Sequence, residues 1–158
     1  MTVYRIAQQR YASLDGIGAS LFPQRWNLAG QRMVYAAESL AVARMELLVH
    51  IDQALPPRNH VYWEIDIPDD VIVETLDPYS LPRWHYSDMR SSRRHGGEWF
   101  KQERSVALVV PSKASEPGRN VLLNPLHPDF VRLVVRGPFP LRWDPRLFLK
   151  GRVSRTVP

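Results

Sequence analysis

The sequence contains no cysteine, and it has no long apolar run. Without cysteine, disulfide bridges and thiolate zinc sites are excluded, and a reducing compartment is the natural setting. No apolar stretch approaches the roughly 20 residues that a membrane-spanning helix needs. The first residues, MTVYRIAQQRYAS, lack the apolar core of a signal peptide. We therefore expect a cytoplasmic protein without a membrane segment.

Several motifs of well-understood chemistry are also missing. Gly16 and Gly18 are not followed by the third glycine of a dinucleotide-binding fingerprint. The GxSxG pattern is absent, which argues against a nucleophile-elbow hydrolase. Three histidines, His85, His95 and His127, have neither HExxH spacing nor a carboxylate cluster beside them, so we expect no metal site.

The chain has 158 residues, of which 44% are hydrophobic, and this suits one domain with its own core. A clear helix follows Ser39 over residues 40–51, with Ser39 as its cap, and a short one is expected around residues 97–103. Strands outnumber these helices and do not alternate with them, which predicts a single-domain α+β fold with a mixed sheet. The strand-like segments are VYRIA, RMVYAA, HVYWEIDIP, VIVETL, SVALVVPS, RNVLLNP and DFVRLVVRGP.

Positive charge is concentrated in the C-terminal segment 132–158. This basic tail has seven basic residues and one acid, a local charge of +6 in a chain whose total is +5. Such a tail attracts nucleic acid, small anions or an acidic partner. The alternative is an ordinary solvated surface, because no aromatic residues are spaced among the charges as stacking platforms.

Glu46 is the unusual residue of the predicted helix 40–51. At 100° per residue its neighbours are Val42, Ala43, Val49 and His50, of which only His50 is polar. Partial burial of a carboxylate costs free energy unless a hydrogen-bond donor or a solvated cleft compensates the lost hydration. A carboxylate in such surroundings is typical of a functional site. The alternative is an ion pair between Glu46 and His50, one turn apart on a wet face of the helix.

Arg25 and Ser112 are two further candidates. A guanidinium suits planar capture of phosphate, and Trp26 beside Arg25 offers a stacking face. Ser112 follows Pro111 at the end of the predicted strand SVALVVPS, where a side chain can line a site on a rigid scaffold. Each also has an ordinary alternative: Arg25 as a surface arginine beside a core tryptophan, and Ser112 as the first residue of a loop.

Taken together, two blocks of sequence resemble the RES-domain family, which is named for its arginine, glutamate and serine. The first, within residues 4–51, contains RWNLAGQRMVYAAESLAVARMELLVH, and the second, within residues 106–130, contains ALVVPSKASEPGRNVLLNPLHPDF. The sequence departs from the family pattern at Pro23 and Gln24, where the family has small residues before the arginine. On this resemblance the whole chain, 1–158, is one RES domain.

The resemblance implies a toxin of a bacterial type II toxin–antitoxin pair, with a fold similar to that of ADP-ribosyltransferase toxins. Its substrate would be NAD, cleaved at the nicotinamide–ribose bond, with water or inorganic phosphate as acceptor. The alternative is transfer of ADP-ribose to a specific protein. The matching residues are Arg25, Tyr35, Glu46 and Ser112.

The family chemistry suggests a role for each of these residues. Glu46 would stabilise the positive charge that builds on the ribose, and Arg25 would hold the pyrophosphate. Tyr35 would stack or donate a hydrogen bond, and Ser112 would bond the nicotinamide amide or a phosphate oxygen. Three other residues of the blocks are expected to order loops rather than to act on substrate: Asn27, Asn124 and His127.

The resemblance also implies a partner, an Xre-like helix-turn-helix antitoxin whose C-terminal segment would plug the cleft. The antitoxin rather than this chain would touch DNA, and a homodimer of the toxin within the complex is an option. A competing class is a non-enzymatic or RNA-directed toxin, for which the arginines of segment 90–94 would grip a phosphate backbone. Against it, the chain has no recognisable nucleic-acid-binding module.

Overall fold

A seven-stranded sheet is the centre of the fold in a computed structural model, which describes residues 1–11, 13–51 and 56–148. The strand order is β4-β5-β6-β2-β1-β3-β7. Neighbouring strands are antiparallel except for the parallel pair β4 and β5, so the sheet is mixed. This confirms the predicted single-domain α+β fold. The strands are β1 (Thr2–Gln8), β2 (Val34–Ala37), β3 (His60–Asp66), β4 (Val73–Thr75), β5 (Ala107–Pro111), β6 (Arg119–Leu123) and β7 (Val134–Pro140).

Alternation of side chains gives the sheet two different faces. In β3, residues Val61, Trp63 and Ile65 are buried and the residues between them are half-buried, as period-2 alternation predicts. Together with Val34 of β2 and Val109 of β5, they belong to the larger core. The opposite face is covered by two of the helices, α2 (Leu40–Leu48) and α3 (Arg90–Gln102).

Strands β5 and β6 are buried on both faces. Ala107 through Val110 and Val121 through Leu123 are all buried. Such continuous apolar runs are typical of interior strands, so the prediction of a central strand at SVALVVPS is confirmed. Successive residues of β5 and β6 therefore contribute alternately to the larger core and to the face under α2 and α3.

Helix α2 begins where the sequence predicts and lies against β2. The Ser39 hydroxyl accepts a hydrogen bond from the Val42 amide at 3.2 Å, which confirms the cap. Val42 and Ala43 pack against Ala37 of β2. The helix ends at Leu48, three residues earlier than predicted, and only its first turns contribute buried residues.

Helix α3 is longer than the sequence suggests. It begins at Arg90 rather than near residue 97, because the buried face of its first turns consists of small residues, Ser92 and Gly96, that give no apolar periodicity. A Cβ on Gly96 would lie 2.0 Å from the carbonyl oxygen of Trp26. The glycine thus allows α3 to approach the backbone of the loop that follows Arg25.

Two other segments differ from the sequence-based expectation. The two glycines of segment 14–20 favour a loop, but a short helix, α1 (Ile17–Leu21), begins within this segment. The predicted strand DFVRLVVRGP begins only at Val134, because Pro128–Arg132 forms a 3-10 helix whose N-cap is His127. Within the described ranges, none of the helices is long and apolar enough to cross a bilayer.

The described part of the basic tail is largely paired with carboxylates of the same chain. Arg132 forms an ion pair with Asp70, and Arg136 forms one with Asp66. Arg146 pairs with its neighbour Asp144 at 2.6 Å. Residues 149–158 of the tail, with Lys150, Arg152 and Arg155, lie outside the described residues.

The close approach at Gly96 predicts a steric effect of substitution. Gly96→Ala would push α3 away from the Trp26 backbone, and we expect the free energy of unfolding to fall by about 1–3 kcal/mol, a typical cost of overpacking. Gly18→Ala in α1 is the matched control, because a Cβ there meets no atom within 4 Å. Urea denaturation of both variants measures the difference, and equal stability of the two would contradict the packing described.

Candidate active site

The carboxylate of Glu46 is held by two side chains of the sheet. Its Oε1 accepts a hydrogen bond from the Ser112 hydroxyl at 2.7 Å and another from Nδ2 of Asn120 at 2.5 Å. Glu46 lies one turn after Val42 and Ala43, which bring α2 onto the sheet. The acid on the apolar helix thus has two neutral donors, which compensate its partial desolvation.

Ser112 is fully buried, and its hydroxyl both donates and accepts a hydrogen bond. It donates to Glu46, while its oxygen accepts from the backbone amide of Ser115 at 3.0 Å. The backbone amide of Ser112 donates to the Gly118 carbonyl at 2.9 Å, which closes the loop between β5 and β6. The structure therefore places the predicted serine against the predicted glutamate.

Asn120 is a site residue that sequence reasoning did not single out. In the sheet register it lies opposite Ala37 of β2 and Val110 of β5, both of which face the helices. An amide side chain on this face must find a partner beneath α2, and Glu46 is that partner. The sequence signal that could have revealed Asn120 is a polar residue on the helix-facing side of an otherwise apolar strand.

The proposed alternative for Glu46, an ion pair with His50, is not what the structure shows. His50 is exposed, and no ion pair joins it to Glu46 within the part of the chain that the structure describes. The carboxylate instead turns towards the strands. His50 lies beyond the end of α2 at Leu48, and the donors Ser112 and Asn120 determine the orientation of the carboxylate.

Arg25 is half-buried and bridges two segments. Its Nη1 donates to the carbonyl oxygens of Trp84 and Tyr86, each at 3.0 Å. Burial lowers the pKa of Arg25, and the attraction of the Glu46 carboxylate works in the opposite direction. The predicted arginine and glutamate therefore face the same region and interact electrostatically.

Tyr35 anchors the loop that carries Arg25. Its hydroxyl donates to Oδ1 of Asn27 at 2.9 Å and accepts from the backbone amide of Trp26 at 3.1 Å. Burial raises the pKa of Tyr35, so the hydroxyl remains protonated and able to donate. The partners of the Tyr35 hydroxyl are residues of the chain itself, and a role towards the substrate stays a prediction.

Arg93 of α3 is a second site residue that the spacing of the sequence did not reveal. Its Nε donates to the Gln24 carbonyl at 2.9 Å, and its Nη2 donates to the Pro23 carbonyl at 3.3 Å. Pro23 and Gln24 are the positions at which the chain departs from the family pattern. Nearly seventy residues separate Arg93 from this loop, so only the tertiary fold reveals the contact.

The three residues expected to order loops do make contacts of that kind. Nδ2 of Asn27 donates to the Ala19 carbonyl at 2.8 Å. Oδ1 of Asn124 accepts from the Leu126 amide at 3.0 Å, and Nδ1 of His127 accepts from the Asp129 amide at 3.1 Å. Among the described residues, no group of three histidine or acidic side chains could hold a metal ion.

A cavity of about 560 Å³ adjoins these residues. One wall is the segment 78–85, and the other contains Pro111 and residues 116–118. Trp84 of the first wall provides a carbonyl to Arg25, and Pro111 of the second immediately precedes Ser112. The arrangement combines an anion held in place, a half-buried guanidinium and an adjoining cavity, which suits a substrate that carries both positive and negative charge.

The contact between Glu46 and Asn120 predicts a measurable coupling. Asn120→Asp removes the donor and sets a second carboxylate beside Glu46, so the free energy of unfolding should fall by about 1–3 kcal/mol. Adding Glu46→Gln restores a neutral donor opposite the new carboxylate, and most of the loss should return. A double-mutant cycle by urea denaturation tests this. Simple additivity of the two substitutions would show that the side chains do not touch.

Comparison with known proteins agrees with the resemblance carried by the two sequence blocks. Residues 2–144 match the RES domain. The chain is 36% identical to the Prs ADP-ribosylating toxin of a Sphingobium species, covering 87% of this chain and 88% of that protein. It is 34% identical to Toxin Res of Yersinia enterocolitica, covering 93% of this chain and 99% of the relative.

A solved structure has a similar fold. It is the M. tuberculosis MbcT-MbcA toxin-antitoxin complex, with a TM-score of 0.71 and 20% sequence identity. The similarity covers 93% of this chain and 86% of that chain. With a family match over nearly the whole chain and relatives above 30% identity, the chain belongs to the RES domain family.

Proposed function

We propose that this RES-domain protein is a toxin that cleaves the bond between nicotinamide and ribose in NAD. The observation that carries the proposal is the Glu46 carboxylate, fixed at Oε1 by Ser112 and Asn120 and interacting with Arg25. The second oxygen, Oε2, has no donor among the residues that the structure describes. It is therefore available to a substrate that develops positive charge.

The chemistry explains why a fixed anion accelerates this cleavage. When the bond between nicotinamide N1 and ribose C1′ breaks, the electron pair leaves with nicotinamide, which becomes neutral. Positive charge then remains on C1′ and the ring oxygen, as in glycoside hydrolysis. A carboxylate that is already oriented stabilises this charge without reorganising. Water or phosphate then adds to C1′, and water loses one proton in doing so.

The other residues support this step from different sides. The guanidinium of Arg25 uses Nη1 for two backbone carbonyls, and its remaining N–H groups suit the pyrophosphate of NAD. We assign Ser112, together with Asn120, to the positioning of Glu46, because the Ser112 hydroxyl is buried and already donates to that carboxylate. Tyr35 positions the Arg25 loop through Asn27 and Trp26.

Transfer of ADP-ribose to a protein is the second candidate function. A relative 36% identical to this chain is named an ADP-ribosylating toxin. The same cleft and the same bond cleavage serve both reactions, since only the nucleophile that reaches C1′ differs. Water, inorganic phosphate and a protein side chain are thus the three acceptors to distinguish.

An antitoxin is the partner that we propose, by analogy with the toxin-antitoxin complex of similar fold. Its Xre-like type, a homodimer of the toxin and a cytoplasmic location stay predictions. An acidic antitoxin surface that docked on the basic tail would compete with the chain's own carboxylates, which already pair with Arg132, Arg136 and Arg146. The family match ends at residue 144, so inclusion of residues 145–158 in the domain also stays a prediction.

The RNA-directed alternative has less support from the geometry. Arg93, in the middle of the arginine-rich segment 90–94, donates to two backbone carbonyls of the loop 23–24. It therefore acts within the protein rather than as a free phosphate contact. Arg90 and Arg94 are exposed, but no aromatic stacking platform accompanies them in that segment.

Glu46→Gln tests the proposed reaction. Glutamine keeps an oxygen for Ser112 and Asn120 but removes the negative charge, so we expect nicotinamide release from NAD to fall at least about 100-fold while the protein remains folded. Glu98→Gln, which removes an exposed acid from α3, is the control and should retain wild-type activity. Wild-type turnover by Glu46→Gln would refute the role of the carboxylate.

The products identify the acceptor. The purified chain is incubated with NAD in buffer, with inorganic phosphate and with a bacterial lysate, and the ADP-ribosyl products are separated. Free ADP-ribose indicates hydrolysis, a phosphorylated ADP-ribose indicates phosphorolysis, and labelled protein indicates transfer. Absence of nicotinamide release under all three conditions would overturn the proposed function.

Arg25→Ala should weaken the binding of NAD by a few kcal/mol, because water cannot replace the hydrogen bonds of a guanidinium to a partly buried phosphate. We expect this as a rise in KM for NAD. The exposed Arg94 provides the control, since Arg94→Ala removes the same charge from a residue that does not line the cavity. Equal KM values for the two variants would show that Arg25 does not contact the substrate.

A further inference from the structure

Helix α2 carries Glu46 in its last turn, but its apolar contacts lie in its first turns. Val42 and Ala43 are buried, whereas residues 44–48 are exposed or only half-buried. A helix of nine residues has little stability of its own. The orientation of its last turn therefore depends on contacts made at the sides of the helix.

Arg44 and Glu46 extend from opposite sides of α2. Two positions apart in an α-helix, their side chains point about 200° apart around the helix axis. Glu46 is bonded to Asn120 of β6. Nη2 of Arg44 instead donates to the carbonyl of Arg142, just after β7, at 3.2 Å. In the strand order, β6 and β7 lie on opposite sides of β2 and β1, so α2 is held from both sides.

Trp143 adds an aromatic contact to this second side. The Cζ atom of Arg44 lies 5.7 Å from the centroid of a Trp143 ring, within the range of a cation–π interaction. The indole in turn meets the buried ring of Phe148 edge to face, with centroids 5.6 Å apart. The Leu141 amide donates to the His60 carbonyl at 3.0 Å, which attaches the segment after β7 to the sheet. The ring that faces Arg44 is therefore held in place.

The flat ring, rather than the indole N–H, is what Trp143 contributes. Its Nε1 is buried and has no hydrogen-bond partner among the residues that the structure describes, and the same is true of Nε of Arg44. Because an unpaired buried donor costs free energy, the indole N–H does not stabilise this contact. The packing of the ring between Arg44 and Phe148 remains as its function.

We propose that Arg44 and Trp143 are positioning residues whose contact fixes the rotation of α2 about its axis. It thereby sets the place of the Glu46 carboxylate, and this inference rests on the proposed function for the reaction that the carboxylate serves. Without the contact, Val42 and Ala43 still hold α2 on the sheet, but its last turn is free to roll. A small displacement of the carboxylate slows a reaction that depends on its orientation.

Trp143→Ala tests the proposal by the steady-state kinetics of nicotinamide release from NAD. We expect kcat to fall at least about tenfold, because a misplacement of about 1 Å can cost about 100-fold in rate. The KM for NAD should be unchanged, since Arg25 is held by the carbonyls of residues 84 and 86. Trp143→Phe keeps an aromatic face for Arg44 and should restore kcat to near the wild-type value.

Two further variants show whether the effect passes through the contact. Leu147→Ala removes a side chain of the same segment that is 61% exposed, and it should leave kcat and KM unchanged. Arg44→Ala should lower kcat as Trp143→Ala does, and the variant that combines both should lose no more than the larger single loss. Independent losses that multiply in the combined variant, or a kcat for Trp143→Phe as low as that for Trp143→Ala, would overturn the proposal.

Hydrogen exchange separates this inference from the cleavage reaction. In Trp143→Ala, the backbone amides of residues 45–48 should exchange at least about tenfold faster than in the wild type, while those of β5 keep their protection. Unchanged protection of α2, or an equal acceleration in β5, overturns the inference. A wild type that releases no nicotinamide refutes the proposed function instead, and the exchange rates still decide whether the contact holds α2.

Discussion

The hydrogen bonds from Ser112 and Asn120 to one oxygen of Glu46 connect the fold of this protein with its chemistry. A carboxylate between a helix and a sheet is costly without donors. Asn120 lies in β6, where the alternation of side chains turns it towards α2, and Ser112 directly follows the adjacent strand β5. The packing of α2 on β2 therefore brings Glu46 to the two donors that orient its carboxylate.

Two arginines connect the segments around this carboxylate. Arg25 reaches from its loop to the carbonyls of residues 84 and 86, and Arg93 reaches from α3 back to the carbonyls of residues 23 and 24. Gly96 permits the backbone contact between α3 and this loop. The Arg25 guanidinium is thus held by contacts between parts of the chain that are far apart in sequence, which suits the extended dinucleotide that we propose as substrate.

The structure also changes how the serine of the family is understood in this chain. The Ser112 hydroxyl is buried and is hydrogen-bonded to both Glu46 and the Ser115 amide. It therefore orients the carboxylate directly, rather than a ligand in the adjoining cavity. In the proposed reaction, arginine and glutamate are then the charged groups for the substrate, and serine, asparagine and tyrosine maintain their placement. Such supporting residues are expected, because a charged group at a reactive centre must be held in a fixed orientation on rigid elements of the fold.

The sequence by itself determined the α+β class and the capped helix that carries Glu46, because local periodicity and capping record these features, and the order of its motifs predicts Arg25, Tyr35 and Ser112 as site residues. Only the tertiary structure decided that Glu46 turns to Ser112 and Asn120 rather than to His50, that Arg93 supports the Arg25 loop, and that α3 begins at Arg90. The physical reason is that these outcomes depend on contacts between residues some 65 to 80 positions apart, or on small residues that pack by close backbone approach, and neither leaves a periodic pattern in the chain.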